Sequence, residues 1–266
     1  MNKMDLRDIQ DVELEILKFV SEKCDKNNLR YGLTSGTVLG AIRHGGFIPW
    51  DDDIDIVMPR KDYMELLQLS RKENWGDFIV KTPYTDKNFV YDYMKVMDVN
   101  TELIEDPNRD KIHTHIYIDI FPVDGVSGCK LLRRLHFKFV KLAQLLFIAT
   151  RRARYNKNRT SGMKKILWEF IDIVSKNNNC AIKLLDKISK VKDYDNASYA
   201  AVVTGQGEKE VLTREQYTLD GIVEFEGCKF KTYRYPPIYL EKFFGDYMKL
   251  PPEDQRRGHD CVAWKN

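Results

Sequence analysis

The sequence predicts an α/β protein, a mixed β-sheet core flanked by helices and carrying a basic helical insert. Three observations predict it. Short segments that alternate polar and aliphatic residues, as strands do, are separated by segments whose apolar residues recur at helical spacing. Four aspartates crowd into the start of one strand candidate, at Asp51, Asp52, Asp53 and Asp55. Residues 130–168 contain no Asp or Glu, while Lys and Arg recur throughout them.

In chain order, residues 5–27 place Leu6, Ile9, Val12, Ile16, Leu17 and Val20 on one helical stripe, which Asn27-Asn28 ends. LRYGLTS reads as a short strand, Gly36 to His44 as a short helix, and Gly45-Gly46 breaks that helix. IDIVM (54–58) reads as a strand stopped by Pro59, and RKDYMELLQLSRK as the helix after it. VYDYMKVMDV (90–99) and HIYIDIF (115–121) are further strands, the second closed by Pro122 and Gly125. In the acid-free block Leu132, Leu135, Phe139, Leu142 and Leu146 step at helical spacing, and a second helix starts near Met163 and runs to about Val174. VEFEGCKFKTY (223–233) predicts a hairpin turning at Glu226-Gly227, PPIYLEKFF a short helix, and the tail from Gly245 a charged, turn-rich segment. The expected organisation is a catalytic core over 1–125, a basic amphipathic helical insert over 126–192, and a segment over 193–266 that completes the core.

Composition narrows the function classes. At 266 residues and 43% hydrophobic, the chain can bury a full core. No run of about 18 apolar residues spans a bilayer. The N-terminal residues carry acids where a secretory signal is basic and then apolar, so the expectation is a cytoplasmic protein. Five scattered cysteines, an odd number, fit a reduced compartment better than a disulfide framework. There is no P-loop, G-x-G-x-x-G or G-x-S-x-G, so NTP hydrolysis, nicotinamide chemistry and a serine nucleophile lack support.

The acidic run carries the chemistry. Side chains alternate across a strand, so Asp53 and Asp55 share one face and Ile54 and Ile56 the other. Two carboxylates on one face suit a hard divalent cation, which prefers oxygen ligands. Phosphoryl transfer at such a site commonly uses a third carboxylate on a neighbouring strand, and Asp119 in YIDIF supplies one. Upstream, Ser35-Gly36-Thr37 lies between a strand and a helix, where free backbone N–H groups and hydroxyls can receive a phosphate. A D-x-D or an S-G-T alone fits a solvated strand edge or a turn just as well. Their conjunction in this order predicts metal-dependent phosphoryl transfer.

The order h-G-[GST]…D-h-D-h…h-D-h is similar to that of the nucleotidyltransferase superfold. The longer string Y-G-L-T-S-G-T-V-L-G-A-I-R-H-G-G-F-I-P-W-D-D-D-I-D-I resembles the LicD family, which includes the fukutin-related proteins. I-D-I-F-P-V-D-G (118–125) and F-G-D-Y-M-K-L-P-P (244–252) extend that resemblance. It implies a Mg²⁺-dependent (or Mn²⁺-dependent) phosphocholine transferase that moves phosphocholine from CDP-choline to a sugar hydroxyl of teichoic acid or a related lipid-linked glycan precursor. Asp53 and Asp55 are then metal ligands, and Asp119 either completes the metal site or takes the proton of the attacking hydroxyl. Ser35, Gly36 and Thr37 hold phosphates, and Arg43 and Asp51 contact substrate. Asp51 or Asp52 orients Arg43 or His44, or contacts water on the metal. Fukutin-related proteins have a zinc-binding segment whose Cys-rich spacing this chain lacks, so no structural zinc is expected.

Trp50, Tyr84, Tyr91, Tyr93, Tyr117 and Tyr233 are the aromatic candidates for holding a quaternary ammonium. His113 and His115 alternate near Asp119 and read as ordinary strand residues; His259 and Cys261 form a second weak pair. The basic block is either a helical hairpin with a solvated face or a contact for an anionic membrane or the acceptor; nucleic acid is not an expected partner. The rival readings are a same-fold transferase using an NTP or CDP-alditol donor, a D-x-D glycosyltransferase, and a membrane- or nucleic-acid-binding module.

Overall fold

The computed structural model describes residues 2–86, 88–105, 112–156, 161–174 and 179–265. In chain order these form β1 (Asn2–Lys3), α1 (Leu6–Lys26), β2 (Gly32–Leu33), α2 (Ser35–His44), β3 (Asp55–Pro59), α3 (Arg60–Lys72), β4 (Phe78–Lys81), β5 (Met94–Glu105) and β6 (Ile112–Val126). Then come α4 (Lys130–Asn156), α5 (Met163–Val174), α6 (Asn179–Ser189), β7 (Tyr199–Ala201), β8 (Leu212–Thr213), β9 (Gly221–Phe225), β10 (Cys228–Thr232), α7 (Pro236–Phe244) and β11 (Cys261–Lys265). The chain divides into two compact units, one of residues 1–80, 95–122 and 215–266, the other of 81–94 and 123–214.

The first unit is an open mixed sheet in the order β1-β11-β5-β6-β3-β2-β10-β9, with β4 pairing β5. The short β2 is antiparallel to β3 through Gly32↔Val57 and parallel to β10 through Thr232↔Leu33. α1 forms because Asp5 and Asp8 cap its first turn reciprocally and because its apolar stripe repeats every three to four residues. That stripe buries Ile16, Leu17 and Val20 completely. Each such side chain contributes about 1.5–3 kcal/mol, so Leu17→Ala is the single change that most directly undoes α1. The β9–β10 hairpin turns where the sequence expected, with Glu226 and Gly227 both at positive φ, 49° and 72°. A two-residue turn of this kind matches strand twist, and glycine takes its second position without steric cost.

The second unit packs α4 against α5 and α6. The last residues of β6 pair with β7, which pairs with β8. Val140, Ala143 and Phe147 of α4 meet Ile182 and Leu185 of α6, Ala201 of β7, and Val203 and Val211 in one buried cluster.

Several element boundaries differ from expectation. β3 begins at Asp55, so Asp53 precedes the strand rather than sharing it. β5 starts at Met94 and continues to Glu105. β6 is not closed by Pro122 but runs to Val126, because its ladder partner beyond the proline is β7. The helical unit extends past the expected limit at 192 to Arg214, since β7, β8 and Val211 build its core, and it takes in residues 81–94. The tail read as turns holds β11, and α6 lies in a stretch for which no element was expected.

Candidate active site

The first unit brings its acids together at the approach to β3. Gln10 of α1 donates from Nε2 to the Asp51 carbonyl at 2.8 Å, which fixes the acidic loop against the helix. The ladder then holds the strand's first residue: Thr34 N donates to Asp55 O at 3.1 Å, and Asp119 N donates to Ile54 O at 2.8 Å. Asp55 N donates to Thr37 Oγ1 at 2.8 Å, and the Ser35 hydroxyl bonds the Asp55 carboxylate. Ser35 and Thr37 thus steady Asp55 from the start of α2. Ser35 sits at φ 48°, a left-handed conformation that non-glycine residues rarely adopt and that tends to persist at functional positions. Gly36 is required for space, because a Cβ there would meet Asp51 Oδ2 at 2.7 Å. The start of α2 rests in turn on buried hydroxyls: Thr34 Oγ1 lies 2.7 Å from Tyr233 Oη and 3.1 Å from Tyr239 Oη.

Crowding raises most of these carboxyls above their ordinary range. Burial, then Asp51, pushes Asp53 up to about 7, against the pull of His259. Burial followed by repulsion from Asp53 and Asp119 holds Asp55 well above its usual value. Burial takes Asp119 to about 6 even though Lys95 stabilises its anion. Lys95 is 1% exposed on β5, with Nζ 2.9 Å from Asp119 Oδ1, 3.8 Å from Glu105 Oε1, and 3.1 Å from the centre of the Tyr117 ring. Behind the cluster lies Glu13 of α1, buried, with Oε2 accepting no hydrogen bond. Burial first, then Asp53, Asp52 and Asp51, drives its carboxyl far up.

The C-terminal arm closes the other side. Asp52 Oδ1 accepts from His259 N at 2.8 Å and pairs with His259 Nδ1 at 2.9 Å, while Oδ2 accepts from Cys261 Sγ at 3.0 Å. Burial alone would raise Asp52, but the two His259 bonds and Cys261 outweigh it and lower it, and the same contact lifts His259 to about 9. Asp52 thus orients His259, not Arg43 or His44. Arg43 donates to Tyr247 O and to His44 Nε2, both at 2.9 Å.

Ligand-type atoms of Asp51, Asp52 and His259 lie within 4.8 Å of one another, the group of three this compact among the described residues. Asp53, Asp55 and Asp119 repel one another electrostatically but do not converge that closely, and Asp119 pairs with Lys95. The donors are overwhelmingly carboxylate oxygens, and the cations that meet them are Lys95 and His259. A hard divalent cation fits this excess of buried negative charge and the orphaned Glu13 oxygen.

Other expected residues lie elsewhere. His115 Nδ1 meets Thr101 O and His113 faces Glu102, as strand residues do. Tyr233 is core, stacked on Tyr239 at 4.4 Å. Tyr117 is taken by Lys95. Tyr84, Tyr91 and Tyr93 belong to the second unit, and Trp50 is half-exposed beside the acidic loop under the Arg256 guanidinium, 5.5 Å from its ring. The sequence reading missed Glu13 and Lys95 and gave His259 no role. Lys95 had a signal, a lone cation between Met94 and Val96 in an apolar strand; Glu13 had none beyond its place on the buried stripe.

A carboxylate cluster between a strand start, a neighbouring strand and the helix of an S-G-T turn, on an open mixed sheet, defines a transferase of the nucleotidyltransferase-like fold. Residues 28–141 match a family model described as LicD/FKTN/FKRP, nucleotidyltransferase domain. The chain is 28% identical to the lipopolysaccharide cholinephosphotransferase LicD of Haemophilus influenzae over 97% of each protein. It is 33% identical to an uncharacterized protein of Rickettsia typhi over 47% of this chain and 38% of that one. Against the human ribitol 5-phosphate transferase FKRP it is 27% identical over 43% of this chain and 21% of that protein. Over residues 28–141 the chain is thus similar to the nucleotidyltransferase domain of the LicD family.

Proposed function

We propose that the protein transfers phosphocholine from CDP-choline to a sugar hydroxyl of a cell-surface glycan precursor, such as teichoic acid, and that it uses Mg²⁺. The observation that carries this reading is the near-complete overlap with a relative named as a cholinephosphotransferase, joined to a site rich in buried carboxylates. Asp53 and Asp55 would hold the metal, with Asp51 adjoining; a bound divalent cation supplies charge neutralisation for a diphosphate.

The chain's own residues do the rest. Ser35 and Thr37 hold Asp55 in place. Asp119, with a value near 6, is poised to accept the proton of the attacking hydroxyl, and Lys95 holds it ionised until it does. The hydroxyl oxygen forms a bond to the phosphorus that bears choline, the bond from that phosphorus to the bridging oxygen breaks, and CMP leaves with the electron pair. His259, a cation held beside Asp53 at 4.0 Å, is placed to meet the leaving phosphate. A CDP-alditol donor is the second reading, favoured by the match to a ribitol 5-phosphate transferase.

Thermal-shift titration with cytidine and adenosine nucleotides, with and without Mg²⁺, tests the donor. Stabilisation by CDP-choline is expected; stabilisation by CDP-ribitol alone selects the second reading, and by ATP alone contradicts both.

A further inference from the structure

α4 carries two apolar faces. One, through Val140, Ala143 and Phe147, enters the core of the second unit. The other points outward. At about 100° per residue, Leu131, Leu135, Phe139, Leu142, Leu145 and Leu146 fall within an arc of about 120° opposite the buried face. Leu131 is 68% exposed, Phe139 58% and Leu142 65%. Lys130, Arg134 and Lys141 flank this stripe along one side, and Lys138 lies at its edge. α5, packed against α4, adds Met163, 87% exposed, with Ile166 and Leu167, beside the exposed Lys164 and Lys165. Soluble monomers seldom leave so continuous an apolar surface in water.

We infer that this α4–α5 face docks on an anionic lipid bilayer, lying in the interface with its leucines in the acyl boundary and its lysines at the headgroups. Charge selects this occupant. Residues 130–168 hold twelve Lys and Arg and no Asp or Glu, so a second copy of the same face would set like charges against each other. A nucleic acid would satisfy the lysines but not the large aliphatic side chains between them. The helix lies on the membrane rather than through it, since among the described residues no helix is long and apolar enough to cross one. The inference is independent of the donor assigned above, and it places the enzyme where a lipid-linked acceptor would be.

Sedimentation of the full chain with phosphatidylcholine vesicles, with and without phosphatidylglycerol, tests it at low and near-molar salt. Binding is expected only with phosphatidylglycerol and only at low salt. Leu142→Asp and the double change Lys138→Glu, Lys141→Glu should each lower partitioning about tenfold, with unchanged melting temperature and unchanged turnover of a soluble acceptor. The inference is overturned if the wild type ignores anionic vesicles at low salt, or if Leu142→Asp binds as well as the wild type. It is equally overturned if the chain is a stable dimer that Leu142→Asp splits and neither form binds vesicles.

Discussion

Asp53→Asn should make the metal-free protein more stable while removing its activity. The carboxyl of Asp53 titrates near 7 in the fold against an ordinary 3.8. Because the folded value lies above the unfolded one, the protonated form stabilises the fold below about pH 4, and that contribution is lost as pH rises through 7. Keeping Asp53 ionised at pH 8 therefore costs at most ~4 kcal/mol. Its side chain is 24% exposed, and solvent screening reduces this to about 2 kcal/mol. Asparagine keeps the shape and removes the charge. At ~2–4 °C per kcal/mol for a chain of this size, the variant should melt roughly 4–8 °C higher at pH 8 and no higher at pH 4. Differential scanning calorimetry after chelation measures this directly. Saturating Mg²⁺ should then reverse the order, since a ligand at about 100 times its Kd adds ~2.7 kcal/mol to the wild type and much less to a variant lacking one of its carboxylates. A variant no more stable at pH 8, or one that still turns over, refutes the reasoning.

Lys95→Met should destabilise the protein by up to about 3 kcal/mol in urea unfolding at pH 8, because it removes the cation that offsets burial of the Asp119 carboxylate; Asp119→Asn added to it should recover much of that loss. In the second unit, burial raises Glu210 from 4.5 to about 7, although its Oε1 accepts from the Gln206 backbone N–H at 3.1 Å. Its folded value is the higher one, so its contribution is present below pH 4.5 and lost as pH rises through 7. Glu210→Gln should accordingly gain up to ~3 kcal/mol at pH 8 and nothing at pH 4, with turnover intact.

Periodicity made much of the fold legible. The stripe of α1, the hairpin at Glu226-Gly227 and the acid-free helices all follow from local pattern, because each element's burial has its own sequence period. What failed was non-local. Nothing local shows that β6 continues past Pro122, since that depends on a strand some 75 residues later offering it a partner. The site shows the same division. The D-x-D and Asp119 could be read because short motifs carry them. Glu13 could not, because a buried charge looks like a solvated one until the fold encloses it, while the only trace of Lys95 was its place in an apolar strand. His259 was visible, but its role depends on β11 carrying the C-terminal arm back to Asp52.

The central claim is metal-dependent phosphocholine transfer at the Asp53–Asp55 site. It is tested most directly by following CMP release from CDP-choline in the presence of a glycan acceptor, for wild type and Asp55→Asn, with Mg²⁺ and after chelation. Release that needs both Mg²⁺ and Asp55 is the predicted result. Release that survives chelation, or that Asp55→Asn sustains at the wild-type rate, contradicts it.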